Sequence, residues 1–167
     1  MDKAKRPILK IPLSSTERLL GLITALVVAL TFINVFAAWS NLPDIIPTHY
    51  NAAGKIDGTG PKWTVWLVPG VQLVLTLVIS IVSRFPHTFN YPWKITSENA
   101  GRQYLMARLL LVWLRLELAL LFAYLNWKTI QSALNQANGL DWWFLPLTLI
   151  AMFGSLGIYL WLAGRMK

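Results

Sequence analysis

The sequence has 167 residues, enough for one domain with a sizeable core. Hydrophobic residues make up 56% and charged residues only 13%, about half the charged share of a soluble domain. The net charge is +8, but long apolar runs separate the charges, which excludes a soluble globule and with it a soluble nucleic-acid binder. There is no cysteine, so disulfides, iron–sulfur clusters, Cys-zinc sites and a cysteine nucleophile are excluded.

Four apolar segments are long enough to cross a bilayer, because its ~30 Å core needs about 20 helical residues. The predicted spans are residues 19–39, 64–83, 105–127 and 142–164. The third span carries Arg115 and Glu117, and ionised groups at such positions raise the insertion free energy by ~2.5–3.5 kcal/mol each. The sequence predicts an all-α membrane protein, a four-transmembrane-helix bundle, with residues 1–18 as a basic cytoplasmic tail and residues 19–167 as a single membrane domain.

Basic residues predict the orientation of the spans, because Lys and Arg stay on the cytoplasmic side. With the N-terminus inside, 11 of the 15 basic residues fall on the inner side and three on the outer side. The inner set is Lys3, Lys5, Arg6, Lys10, Arg18, Arg84, Lys94, Arg102, Arg108, Arg165 and Lys167, and the outer set is Lys55, Lys62 and Lys128. This bias predicts a multi-pass protein with both termini in the cytoplasm.

Two further features of the sequence agree with four retained spans. The first span has 21 residues, whereas the apolar part of a cleavable signal peptide has only about 7–15. Tryptophans fall at the predicted membrane interfaces, where an indole ring keeps its N–H close to water. The outer ones are Trp39, Trp63, Trp66, Trp127, Trp142 and Trp143, and the inner ones are Trp93 and Trp161.

The segment between the first two spans predicts a short structured hairpin on the outer face. Residues 45–50 can run extended because proline disfavours helix in the residue before it, residues 51–54 are typical of a turn, and residues 55–57 can return as a second strand. Its candidate partner-binding residues are Pro43, Asp44, Pro47, His49, Tyr50, Asn51, Gly54, Asp57 and Lys62.

A cation site is the alternative interpretation of this outer loop. Asp44, His49, Asn51 and Asp57 carry side chains that bind hard cations or zinc. Their spacing matches no known ligand pattern, and Asn and Asp are common in turns because they bond to their own backbone. We therefore predict no metal site.

The segment between the second and third spans is rich in aromatic residues and prolines, which predicts a segment lying along the inner interface. Ser97 followed by Glu98 predicts the start of the third helix, with a hydroxyl cap and an acid in the first turn. The candidate functional residues on this side are Phe89, Asn90, Tyr91, Pro92, Arg102 and Arg108.

Arg115 and Glu117 are two residues apart, so they point about 200° apart around a helix and do not pair with each other. Counted from Leu109, where the uninterrupted apolar part of this span begins, Arg115 is about 9 Å deep and can reach the cytoplasmic surface, whereas Glu117 is about 12 Å deep and is expected to face the bundle interior. The candidate intramembrane polar site is Arg115, Glu117, Thr31, Thr76 and Ser155. Glu117 is interpreted as a hydrogen-bonded structural group, with a proton or ion site or a switch as the alternative.

Small residues in the fourth span permit close approach of another helix. They are Ala151, Gly154, Ser155 and Gly157. We expect this patch to pack within the chain, with dimerisation as the alternative.

Two motifs carry a resemblance to a known family. The first comprises residues 42–51 with Gly54, Asp57, Gly60 and Lys62, and the second comprises residues 89–92, 94–96, Asn99, 102–104, Arg108 and 116–118. Together they resemble a bacterial integral membrane family, a domain of unknown function (DUF1648) that is shared with the N-terminal region of SdpI-type immunity proteins. The resemblance implies a bacterial membrane protein whose common core includes both loops, Arg115 and Glu117. For the immunity proteins, the role that the resemblance implies is protection of a producer cell from its own secreted toxic peptide, together with signalling to a regulator.

The functional prediction is a non-enzymatic membrane protein without a cofactor, because the chain contains no phosphate-binding loop, dinucleotide-binding glycine motif, zinc-protease motif or nucleophile elbow. We expect it to bind a membrane or extracytoplasmic protein or peptide through the outer loop, as an immunity factor, sensor or accessory subunit. The alternative is a small transporter or proton-coupled component that uses Glu117. An enzyme at the membrane interface ranks last.

Overall fold

The computed structural model describes residues 6–166, which form four long helices and one two-stranded sheet. The helices are α1 (Ser15–Ala38), α2 (Leu67–Val82), α3 (Ala100–Ala133) and α4 (Phe144–Gly164), and the strands are β1 (Ile45–Tyr50) and β2 (Ile56–Pro61). Lys3, Lys5 and Lys167 of the predicted inner set lie outside the described residues.

Among the described residues, three helical segments are long and apolar enough to cross a membrane. They are Ser15–Asn41, Lys62–Val82 and Phe144–Gly164, of which the first two include a short 3₁₀ turn next to α1 or α2. The chain is therefore a mostly helical membrane protein. Because β1 and β2 pair, the predicted all-α class is too narrow, although the hairpin itself is the one expected from the turn residues.

α3 is the central helix, and α1, α2 and α4 each pack against it. Val112 and Leu116 of α3 form a buried cluster with Leu20 of α1. Gln72 of α2 is buried and donates its Nε2–H to the carbonyl of Ala119 at 2.8 Å. The three apolar helices therefore cover α3. This helix carries more polar residues than α1, α2 or α4, and it is not among the three apolar segments.

α1 begins with a capping box formed by Ser14 and Glu17. The Ser14 hydroxyl accepts the Glu17 backbone N–H at 3.2 Å, and the Glu17 carboxylate accepts the Ser14 N–H at 2.8 Å. Two donors that a helix start leaves unpaired are thus satisfied.

α3 begins at Ala100 with Asn99 as its N-cap, two residues later than the predicted cap at Ser97. The Asn99 side chain accepts the Thr96 N–H at 2.8 Å, and the Thr96 hydroxyl accepts the Asn99 N–H at 3.2 Å. This reciprocal pair holds residues 97–99 in a turn, so the prediction that Ser97 caps the helix is wrong.

The two glycines of the small-residue patch in α4 do not pack as predicted. A Cβ added to Gly154 or Gly157 would meet no atom within 4 Å, and Ala151 is exposed. α4 contacts α3 through a different face, which includes Ser155. The prediction of packing within the chain is therefore wrong for the two glycines.

The hairpin is antiparallel, with Ile45 opposite Pro61 and Tyr50 opposite Ile56. Ile46 points into a buried cluster with Val35 of α1 and Ile130 of α3. Burying one such side chain contributes about 1.5–3 kcal/mol. This cluster fixes the base of the hairpin to one end of the bundle, which we call the hairpin end, and we call the other end the tail end.

Candidate functional site

The turn of the hairpin is fixed to the loop between α3 and α4. The carbonyl of Gly54 accepts the N–H of Leu140 at 2.8 Å. Gly54 and Gly139 have φ angles of +75° and +98°, which favour glycine. A Cβ on Gly139 would overlap the Gly54 carbonyl, and one on Gly54 would lie 2.7 Å from the Leu140 carbonyl oxygen. Both glycines are thus required for the close approach of the two loops.

Two polar residues at the turn complete local structure. The Asn51 side-chain oxygen accepts the N–H groups of Ala53 and Lys55 at 2.9 and 3.1 Å, so it caps the turn. The Tyr50 hydroxyl lies 3.1 Å from the Thr129 hydroxyl of α3, which adds a contact between hairpin and bundle.

Asp44 and Lys62 lie at the other end of the hairpin, where its strands meet the bundle. The Lys62 Nζ is 3.9 Å from an Asp44 oxygen and lies 5.1 Å from the Trp39 ring centroid. Pro43 is exposed just before β1, whereas Pro47 is buried within it. These residues shape the base of the hairpin.

His49 and Asp57 form an exposed pair on the hairpin. The His49 Nδ1 lies 2.5 Å from an Asp57 carboxylate oxygen, and the side chains are 72% and 41% exposed. Gly58 leaves space beside the first side-chain atom of His49, since a Cβ at position 58 would lie 2.9 Å from the His49 Cβ. The pair offers hydrogen-bonding groups to a molecule that docks on this face.

The four side chains considered for a cation do not converge in the structure. His49 and Asp57 are brought together, but Asn51 caps the turn and Asp44 lies beside Lys62. Within residues 6–166, no three His, Asp or Glu side chains cluster closely enough to hold a metal ion.

A second polar cluster at the hairpin end joins α3 to the start of α4. The Tyr124 hydroxyl donates to an Asp141 carboxylate oxygen at 2.6 Å, and the Lys128 Nζ lies 3.2 Å from the same oxygen. These two contacts, the tyrosine first, hold the pKa of Asp141 below its ordinary value of 3.8. Sequence reasoning missed this cluster, although Tyr124 and Lys128 are four residues apart on one helix face.

Arg115 and Glu117 have separate partners on different helices. Arg115 donates to the Ser80 hydroxyl at 2.6 Å, and that hydroxyl donates to the Thr76 carbonyl at 2.6 Å. The Glu117 carboxylate lies 3.3 Å from the Ser155 hydroxyl, which also lies 3.0 Å from the carbonyl of Met152. Ser80 lies in the last turn of α2, so the guanidinium is directed toward the tail end.

The five predicted intramembrane residues therefore do not form one site. Arg115 and Thr76 are linked through Ser80, and Glu117 is bonded to Ser155. Thr31 belongs to neither group, because its hydroxyl donates to the carbonyl four residues earlier in α1 at 2.8 Å.

At the tail end, a buried ion pair joins α1 to α3. The Arg108 Nη2 lies 2.7 Å from a Glu17 oxygen, and the Arg108 Nε donates to the same oxygen at 2.9 Å. The side chains are only 7% and 1% exposed. Arg108 also donates to the carbonyl of Ile11 at 2.8 Å. Glu17 was missed by sequence reasoning, although Ser14 and Glu17 have the spacing of a capping box.

The segment before α1 crosses the tail end and contacts the loop between α2 and α3. Arg6 donates to the carbonyl of Phe89 at 2.5 Å, and its guanidinium lies 5.4 Å from the Tyr91 ring centroid. The Tyr104 hydroxyl donates to the carbonyl of Pro7 at 3.1 Å. Burial, with a smaller effect of neighbouring tyrosines, raises the pKa of Tyr91. This end is therefore closed by the chain itself.

The six candidate functional residues predicted on the cytoplasmic side fall into two groups. Arg108, Phe89 and Tyr91 take part in the contacts that close the tail end. Asn90, Pro92 and Arg102 are exposed.

Comparison with known proteins finds a family match over part of the chain. Residues 26–73 match the family model described as Domain of unknown function (DUF1648). An uncharacterized protein from Archaeoglobus fulgidus is 27% identical over 89 residues, covering 48% of this chain and 49% of the archaeal protein. The match thus spans about half the length of that relative. No solved structure matches the chain.

The matched residues correspond to a definite part of the fold. They cover the second half of α1, the whole hairpin and the first turns of α2, whereas the second motif, residues 89–118, lies beyond them. Residues 26–73 are therefore similar to the DUF1648 domain, and the hairpin lies within this matched segment.

Proposed function

We propose that this is a four-span membrane protein that binds a protein or peptide partner through its hairpin end. α3 is the fourth span in this proposal, because it has 34 residues and three apolar helices pack around it. The hairpin end faces away from the cytoplasm and both termini face the cytoplasm, in agreement with the distribution of Lys and Arg.

The observation that carries the proposal is a hairpin held at both ends while its free face is exposed. Its base is fixed by the buried Ile46, and its turn by the bond from Leu140 to Gly54. The exposed His49 and Asp57 pair lies between these anchors. A surface that is already ordered loses little conformational entropy on binding, which favours recognition of a partner. An immunity factor, a sensor and an accessory subunit all fit this arrangement.

We expect that replacing both His49 and Asp57 with alanine lowers recovery of the partner at least tenfold, or about 1.4 kcal/mol of binding free energy. The measurement is co-purification of the tagged full-length chain from native membranes, with the companion identified and its binding repeated with purified components. Arg102→Ala, an exposed change at the tail end, is the matched control and should leave recovery unchanged. Equal recovery with the hairpin variant would contradict the proposal.

The second candidate is a small transporter or proton-coupled component. It is supported by Glu117, whose carboxylate lies between α3 and α4 beside an apolar cavity. In proteoliposomes with an imposed pH gradient, we expect Glu117→Gln to abolish proton movement and Glu98→Gln, at an exposed loop position, to retain it. If the native chain moves no more protons than empty liposomes, this candidate is eliminated.

A further inference from the structure

A groove between α3 and α4 brings Glu117 into contact with apolar surface on both sides. Toward the hairpin end it forms a cavity of about 260 Å³, whose lining includes Glu117, Leu120 and Leu147. Toward the tail end lies a second cavity of about 350 Å³, which α1, α3 and α4 line and whose lining includes Leu20, Trp113 and Ser155. Glu117 lines the first cavity and Ser155 lines the second, and the two side chains are 3.3 Å apart, so the carboxylate lies between the two cavities.

Glu117 has no charged neighbour in this groove. Among the described residues that line the two cavities, it is the only one with an ordinarily charged side chain. Its hydrogen-bond donors, the hydroxyl of Ser155 and the side chain of Trp113, are neutral, and Arg115 is bonded to Ser80 on α2 instead. At a given separation, the Coulomb attraction between a carboxylate and a cation is stronger in an apolar environment than in water, because the surroundings screen charge less.

Aromatic rings surround the hairpin-end opening of the groove. The Tyr124 ring centroid lies 4.2 Å from that of Phe144 and 5.4 Å from that of Trp143. Tyr124 is seven residues from Glu117, which places it on the same face of α3 and about 10.5 Å away along the axis. Aromatic faces attract organic cations, and the apolar walls between the opening and the carboxylate suit a hydrocarbon group.

We propose that this groove binds a small hydrophobic ammonium ion, with its charge at Glu117 and its hydrocarbon group along Leu120 and Leu147 toward the aromatic opening. The proposal rests on the second candidate function in that it gives Glu117 a ligand, but binding does not require transport. Charge complementarity selects the cation, and the apolar lining of the groove suits its hydrocarbon group.

The test uses benzyltrimethylammonium and the purified full-length chain in a non-ionic detergent, with binding measured by titration calorimetry. We expect saturable binding that Glu117→Gln weakens at least tenfold and Glu98→Gln leaves unchanged. Neopentylbenzene has the same shape without the charge and should not compete. Ala151→Phe, which fills the cavity and keeps the carboxylate, should also prevent binding. This variant provides the test if the Glu117→Gln protein does not fold.

Several results would overturn the site. The first two are absence of binding to the native chain and equal binding to the Glu117→Gln variant. The other two are competition by neopentylbenzene, and displacement of benzyltrimethylammonium by sodium chloride at the same concentration. Flux measurements separate this proposal from the second candidate function. Binding at Glu117 without proton movement would support the cation site and eliminate the transporter function. Proton movement without binding would support the transporter function and eliminate the cation site.

Discussion

Replacing Arg108 with methionine is expected to lower the free energy of unfolding by about 3–5 kcal/mol. The change leaves the Glu17 carboxylate, only 1% exposed, without its cationic partner and removes the donor to the carbonyl of Ile11. A buried charge that loses its partner is among the most destabilising features a single substitution creates. The measurement is unfolding in mixed micelles, followed by fluorescence of the nine tryptophans.

Two further variants isolate the ion pair from the general effect of removing an arginine. Arg102→Met makes the same chemical change on an exposed position of α3 and should alter stability by less than about 0.5 kcal/mol. Combining Arg108→Met with Glu17→Gln should restore much of the loss, because no buried charge remains and glutamine still completes the capping box. If Arg108→Met is no more destabilising than Arg102→Met, the ion pair does not stabilise the tail end.

Local chemistry in the sequence predicted the hairpin well. Asn51 and Gly54 specify the turn because one caps backbone N–H groups and the other adopts a positive φ, and both roles are observed. The apolar runs likewise predicted α1, α2 and α4, since length and composition alone determine whether a helix can cross a bilayer.

The predictions failed where two local interactions compete or where helix rotation matters. At the start of α3, the bonds between Thr96 and Asn99 prevail over a cap at Ser97. The direction in which Gly154 and Gly157 point depends on which face of α4 meets α3, and small size alone does not determine it.

The candidate sites were least predictable where they join distant residues. Glu17 and Arg108 are 91 positions apart, and only the packing of α1 on α3 brings them together. Ser80 and Ser155 meet Arg115 and Glu117 for the same reason. The sequence showed that both charges within the third span need partners, but it contains no signal for which hydroxyl each one meets.

The central claim, that the hairpin end and the tail end lie on opposite sides of a membrane, is best tested by labelling single cysteines. The chain has none of its own, and Ala52, Asn138 and Ser97 are exposed positions suited to substitution. Ala52 lies in the hairpin turn and Asn138 in the loop that holds it, whereas Ser97 lies in the loop at the tail end.

We expect a membrane-impermeant maleimide to label Ala52→Cys and Asn138→Cys in intact spheroplasts, and Ser97→Cys only after the membrane is permeabilised. The reason is that four spans place the two hairpin-end loops outside, and the bias of Lys and Arg keeps the tail end in the cytoplasm. If Ser97→Cys reacts in intact spheroplasts as fast as Ala52→Cys, or if Ala52→Cys and Asn138→Cys lie on opposite sides, the four-span arrangement is wrong.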